Sequence, residues 1–227
     1  AADDQVTVTS AGNINGAGLV TGSTIDLNAA SGIGNTTQLE LSGSTITADT
    51  TTGDIDVDSA VAATFTTVTT GTGSIVVDAD AATSFTTVTT TDGAVDLEVT
   101  GGNLTVGTAV TAGGSNNASL TTTTSGNVIL TGTTTAAGDQ VTVTSAGSIN
   151  GAGLVTGSTI DLNAASGIGN TTQLELSGST ITADTILGDI DVDSAVAATF
   201  TTVTTGTGSV VVDADAATSF TTVTTTD

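Results

Sequence analysis

The chain has 227 residues, of which 23 are acidic and none is Lys, Arg or His, so its formal net charge at pH 7 is −23. A surface without cationic side chains disfavours binding to nucleic acid or to anionic lipid, because both rely on Lys and Arg contacts with phosphate. Hydrophobic residues still make up 37% of the chain, and Val, Ile, Leu and Thr recur with strand-like spacing, so we predict a folded protein.

Other absences narrow the possible functions. The chain has no Cys, Tyr or His and no Lys or Arg, so bases, nucleophiles and oxyanion-stabilising groups are reduced to carboxylates, hydroxyls and backbone amides. We therefore expect that this protein is not an enzyme. No apolar run approaches the roughly 18 residues of a membrane-spanning helix, so we expect no membrane insertion of this segment. The first four residues, Ala1-Ala2-Asp3-Asp4, do not resemble a signal peptide.

The dominant feature is an internal repeat. Residues 136–227 restate residues 1–92 with an offset of 135, and five of those 92 positions differ: Asp3/Gly138, Asn13/Ser148, Thr51/Ile186, Thr52/Leu187 and Ile75/Val210. A fixed period is typical of a solenoid whose units pack on their neighbours. We predict one continuous solenoid over 1–227, with a full unit at 1–135 and a partial unit at 136–227. Because the second copy covers 92 of 135 positions, we expect a longer array.

A shorter period of about 20 residues lies inside this unit, marked by Gly12, Gly32, Gly53, Gly73 and Gly93. Apolar and polar residues alternate after the later glycines, and this alternation is typical of a strand with one buried face. We predict that the apolar members of these phrases face inward and the acidic members outward. The inward set is Ile55, Val57, Ile75, Val77, Val95 and Leu97, and the outward set is Asp54, Asp56, Asp58, Asp78 and Asp96.

About 20 residues suit one coil of a parallel β-helix, with three short strands and three turns, so the chain should form roughly 11 coils. At about 4.8 Å per coil, these would make a rod on the order of 50 Å long. In one coil we place Val61, Ala63 and Phe65 inward, a corner at Thr66-Thr67, and Val68 and Thr70 at the start of the third strand. Phe65 should stack on Phe85, and Phe200 on Phe220. The segment Gly93–Ser125 is longer than one coil and shorter than two, so it holds either an insertion or an added short strand, with turns expected at 100–102 and 113–117.

The stacked acids are the main candidate for chemistry. Asp58, Asp78 and Glu98 occupy the same position of successive coils, and Asp193 and Asp213 repeat the first two. Like charges on neighbouring strands destabilise a sheet, and only solvent or metal cations can relieve them here. Hard oxygen ligands suit Ca²⁺, so these five residues are a candidate Ca²⁺ ladder, whereas the alternative is a hydrated, salt-screened acidic face. No other cofactor is expected.

Threonine doublets such as Thr66-Thr67 and Thr86-Thr87 also recur with the coil. Flat threonine arrays on small β-solenoids are typical of ice-binding proteins. We expect ordinary strand-forming threonines instead, because the doublets fall at corners and Val68 and Val88 interrupt the array.

Two phrases, VTVTSAGSINGAG at 141–153 and GSTIDLNAASGIG at 157–169, resemble repeats of filamentous haemagglutinin-like giant adhesins, the exoproteins of two-partner secretion systems. The resemblance extends through most of the chain as a style of repeat. It implies an all-β fold, a right-handed parallel β-helix, together with export to the cell surface and a role in adhesion or cell–cell contact.

The sequence therefore predicts a structural segment of a long extracellular or cell-surface filament that acts as a stiff acidic rod. The expected partners are other copies of the filament, through lateral bundling, and a host or neighbouring cell surface. The alternative is a binding module whose acidic and Thr-rich faces bind Ca²⁺, carbohydrate or other rods.

Overall fold

The computed structural model describes residues 4–226, which form a parallel β-solenoid of about 11 coils with about 20 residues per turn and no helix. Every strand pairing in this range is parallel, and most strands pair with one strand of the preceding coil and one of the next. The predicted all-β solenoid is confirmed. The sequence difference at Asp3 lies outside the described residues.

The structure has 26 strands in this range. Those of the first copy are β1 (Gln5–Ser10), β2 (Asn13–Ile14), β3 (Val20–Thr21), β4 (Thr24–Ala29), β5 (Gly32–Ile33), β6 (Leu39–Ser42), β7 (Thr45–Thr50), β8 (Ile55–Ser59), β9 (Ala63–Thr72), β10 (Ile75–Ala79) and β11 (Thr83–Asp92). The segment that follows contains β12 (Val95–Gly101), β13 (Leu104–Thr111), β14 (Ala118–Ser125) and β15 (Val128–Leu130), and β16 (Thr133–Ser145) leads into the second copy. The second copy continues with β17 (Ser148–Asn150), β18 (Leu154–Ala164), β19 (Gly167–Ile168), β20 (Leu174–Ser177), β21 (Thr180–Thr185), β22 (Ile190–Ser194), β23 (Ala198–Thr205), β24 (Val210–Ala214), β25 (Thr218–Phe220) and β26 (Val223–Thr225).

One apolar core runs along the inside of the coils, from Ile25 to Val203. Equivalent positions of successive coils form a ladder in this core, where Ile55 pairs with Ile75, and Ile75 pairs with Val95. Ile55 and Ile75 are fully buried, and only 1% of Val95 is exposed. Fully burying a side chain of this size contributes about 1.5–3 kcal/mol. The predicted inward set is therefore confirmed, and its aspartates face outward.

The phenylalanines form two stacked pairs, as predicted. The ring centroids of Phe65 and Phe85 lie 5.4 Å apart, and those of Phe200 and Phe220 lie 5.3 Å apart. Three of these rings are fully buried, whereas 49% of Phe220 is exposed. Stacking thus occurs in both copies, but Phe220 has packing on one face only.

The corners of the coil differ from the prediction in two places. Val61 is 39% exposed instead of buried, because the chain turns there and the Ser59 hydroxyl donates a hydrogen bond to the Val61 carbonyl oxygen. The Thr66-Thr67 corner is a bend within the single strand β9, where two successive residues face partly outward and the register against β7 shifts. The second and third predicted strands of this coil therefore run as one.

The irregular segment belongs to two successive enlarged coils. Val95 pairs with Ala118, and Ala118 pairs with Val141, so both steps are longer than the regular step from Ile75 to Val95. The extra residues are distributed along the chain. One lies in β13 between Val106 and Ala109, where the register against β11 shifts, and another lies in the loop near Asn116, whose side-chain amide donates to the Gly113 carbonyl oxygen at 2.8 Å. The predicted turn at 113–117 is confirmed, whereas Gly101 still belongs to β12 and the turn expected at 100–102 begins only at Gly102.

Candidate functional site

An acidic column runs up the outer face of the coils. Asp58 pairs in register with Asp78, and Asp78 pairs with Glu98, so the three predicted residues lie directly above one another. The column also extends downward, because Glu40 pairs with Asp58. Above Glu98 the next residue in register is Thr121, where the column ends.

The second copy repeats this arrangement. Glu175 pairs with Asp193, and Asp193 pairs with the predicted residue Asp213. The sequence prediction missed both glutamates, because the step from Glu40 to Asp58 is shorter than the repeat and a search at the regular interval passes over it. The signal that could have found them is the phrase LELS, whose alternation matches IDVDS in the next coil.

The carboxylate of Asp58 has a raised pKa. Burial, followed by the carboxylates of Glu40, Asp80 and Asp78, raises the pKa of Asp58 to about 6, although a hydrogen bond from the Ser59 backbone opposes this. Its Oδ1 atom is buried and has no hydrogen-bond partner, and the same holds for Oδ1 of Asp193 in the second copy. The structure thus places one unsatisfied carboxylate oxygen at an equivalent point of each copy.

A glutamine in each copy donates hydrogen bonds to some of the neighbouring carboxylates and not to others. Gln173 Nε2 donates to both Asp191 Oδ1 and Asp213 Oδ2 at 2.9 Å. In the first copy Gln38 Nε2 donates to Asp78 Oδ2 at 2.7 Å. The predicted ladder residues Asp78 and Asp213 therefore have an amide donor, whereas Oδ1 of Asp58 and Oδ1 of Asp193 have none.

The carboxylates that converge are Glu175, Asp193 and Asp215. One oxygen from each of them lies within 4.8 Å of the others. We call this the carboxylate triad. Glu40, Asp58 and Asp80 occupy the equivalent positions of the first copy, but their oxygens do not all converge within this distance. Only Asp193 of the second-copy triad belonged to the predicted ladder, because Asp215 follows β24 in a turn, where strand alternation makes no prediction.

The triad has the chemistry of a hard-cation site. Ca²⁺ binds six to eight oxygen ligands at about 2.3–2.6 Å, and three carboxylates supply both charge and ligands for part of such a shell. No cationic side chain exists in the chain to compensate this charge. Glu98 lies two coils above Asp58 in the column, so the five predicted ladder residues do not form one compact site.

No protein-family model, curated protein or solved structure matches the chain. The resemblance to filamentous haemagglutinin-like repeats therefore stays a prediction. Within residues 4–226, no helix has the length and apolar character needed to cross a membrane.

Proposed function

We propose that this chain is a structural segment of a stiff, acidic rod, part of an extracellular or cell-surface filament. The observation that supports the proposal is the uninterrupted stacking of about 11 coils around one apolar core. Continuous interstrand hydrogen bonding resists bending and protease attack, because each coil is held by both neighbours. The acidic coat keeps such rods soluble and apart.

The cell-surface role is tested by antibodies raised against this chain. On intact cells that make the protein, we expect labelling of filaments that project from the surface, and removal of the label by protease added outside. Labelling only after the cells are made permeable would contradict the proposal.

A second candidate function is cation binding by the carboxylate triad, favoured by the buried, unpartnered Oδ1 atoms of Asp58 and Asp193. Ca²⁺ bound there would stiffen a rod or link neighbouring rods, since two chains of net charge −23 repel each other without cations. In this second candidate function, the carboxylate triad of the second copy takes the place of the predicted ladder.

Thermal unfolding in EDTA and in millimolar CaCl₂ tests this second function. A ligand that binds only the folded state raises stability with its concentration above the dissociation constant. We expect CaCl₂ to raise Tm, and a double variant, Asp58→Asn with Asp193→Asn, to lose that response. Asp96→Asn is the matched control, because Asp96 faces Val76 and Ser119 in register and not another acid. An unchanged Tm in CaCl₂ would contradict cation binding, and filament bundles that persist in EDTA would contradict cation-linked bundling.

A further inference from the structure

A groove of about 500 Å³ crosses three successive coils where the segment after the first copy meets the second copy. Its floor and walls include Asn127, Ile129, Asn150, Ala152, Thr171 and Thr172, and none of the residues that line it is charged. This volume lies within the roughly 300–1,000 Å³ of small-molecule sites. It is a neutral place on an acidic rod, and two smaller neutral grooves, at 179–219 and 21–62, contain no amide side chain.

The backbone shapes this groove. Ile129 faces outward from β15, half-buried between Thr105 and Asn150 of the adjacent coils. Gly151 follows with a φ of 134°, and a Cβ there would collide with the carbonyl oxygen of Leu130, so the chain can turn close to the coil below only with glycine. The residues after β19, including Thr171, form the opposite wall.

Two asparagine amides in the groove are held in fixed orientations. Asn127 Oδ1 accepts a hydrogen bond from the Ser148 backbone N–H at 2.8 Å, and Asn150 Oδ1 accepts one from the Thr171 backbone N–H at 3.1 Å. Each Nδ2 group is thereby oriented away from these backbone partners, and no acceptor within residues 4–226 bonds to either. The groove therefore offers preorganised donors beside an apolar floor.

The net charge of the chain and the pairing of its strands indicate which class of ligand fits the groove. Anionic ligands are repelled by a net charge of −23 without any cationic side chain, and cations find no carboxylate in the groove. An extended peptide would need a free strand edge, but β15 pairs with β13 and β17, and β17 pairs with β15 and β19. An uncharged ligand rich in hydroxyl oxygens satisfies the amide donors.

We propose that this groove binds an uncharged saccharide, with hydroxyl oxygens on the amides of Asn127 and Asn150 and a ring face over Ile129. No aromatic side chain lines the groove, so the expected dissociation constant is about 1 mM. The proposal goes beyond the rod function, which stands whether or not a saccharide binds.

Ligand-observed saturation-transfer NMR on the whole chain tests this site. The probes are maltohexaose, cellohexaose and chitohexaose, with an oligogalacturonate as the acidic counterpart and an uncharged blocked peptide as the alternative class. The groove is blocked by Ala152→Phe, since Ala152 is exposed and lines it. The matched control is Ala17→Phe, because Ala17 is the exposed first-copy equivalent and no described coil lies beneath it.

We expect at least one of the neutral probes to bind, Ala152→Phe to weaken it by about tenfold or more, and Ala17→Phe to leave the dissociation constant within about twofold. Circular dichroism of both variants checks that the strands are intact. The proposal is overturned if no neutral saccharide binds, if both variants weaken binding equally, or if oligogalacturonate or the peptide binds more tightly.

Discussion

Replacing Asp58 with Asn should stabilise the protein at pH 7 when divalent cations are absent. The carboxylate of Asp58 is partly desolvated and faces Glu40, Asp78 and Asp80, so its charged form is disfavoured in the fold. Asparagine keeps the size of the side chain and removes the charge. The substitution therefore removes a repulsion without opening a cavity.

The sign and size of this effect follow from the raised pKa of Asp58, which is about 6 in the folded protein against an ordinary value of 3.8. Between these values the folded protein holds the proton more tightly than the unfolded chain, so stability falls as pH rises from about 4 to 6. A difference of about two pKa units would correspond to about 2.7 kcal/mol. Asp58 is partly exposed, and solvent screening reduces the expected gain to about 1 kcal/mol.

Urea unfolding in EDTA at low salt, followed by circular dichroism at pH 4 and pH 7, measures this gain. We expect Asp58→Asn to unfold at higher urea than the wild type at pH 7, and the two to converge at pH 4, where the wild-type carboxyl is protonated. The control Asp96→Asn removes the same charge from an exposed position and should change the midpoint much less. Equal midpoints for wild type and Asp58→Asn at pH 7, or a gain independent of pH, would refute the reasoning.

Two further pairs of substitutions test the packing of the coils. Phe85→Ala should lower the unfolding free energy by about 3–5 kcal/mol, because its ring is fully buried. Phe220→Ala should cost less than half of this, since 49% of Phe220 is exposed. Equal losses in urea unfolding would contradict the stacking order. Gly34→Ala should cost about 3 kcal/mol or more, because φ is 70° and the added Cβ would overlap the carbonyl oxygen of Asp56. Gly18→Ala meets no atom within 4 Å and should change stability by less than about 0.5 kcal/mol, so similar effects at both glycines in thermal unfolding would refute the fold at this turn.

The fold was predictable from sequence wherever the coil length held at about 20 residues. Period-two alternation and the regular step together placed Ile55, Ile75 and Val95 in one buried ladder, and they placed Asp58 beneath Asp78. Side chains at equivalent positions must stack when successive coils have the same length. The register therefore follows from spacing alone.

The prediction failed where coil length or strand direction changes. The coil that separates Glu40 from Asp58 is shorter than the repeat, so an acid that belongs to the column was missed. Val61 follows the buried Ser59 at the spacing of an inward residue, but a turn intervenes and exposes it. Turns set the direction of side chains through backbone hydrogen bonds, which apolar periodicity does not encode.

The candidate site was predictable only in part for the same reason. Asp193 belongs to a strand whose alternation points it outward, whereas its triad partner Asp215 lies in a turn after β24. Its other partner, Glu175, lies one short coil away. Spacing located the column, but the convergence of the triad depends on the fold of the corners.

Cryo-electron microscopy of the native protein tests the central claim most directly. We expect a continuous rod with an axial repeat of about 4.8 Å, the spacing of parallel strands in successive coils. Compact particles without this repeat would contradict it.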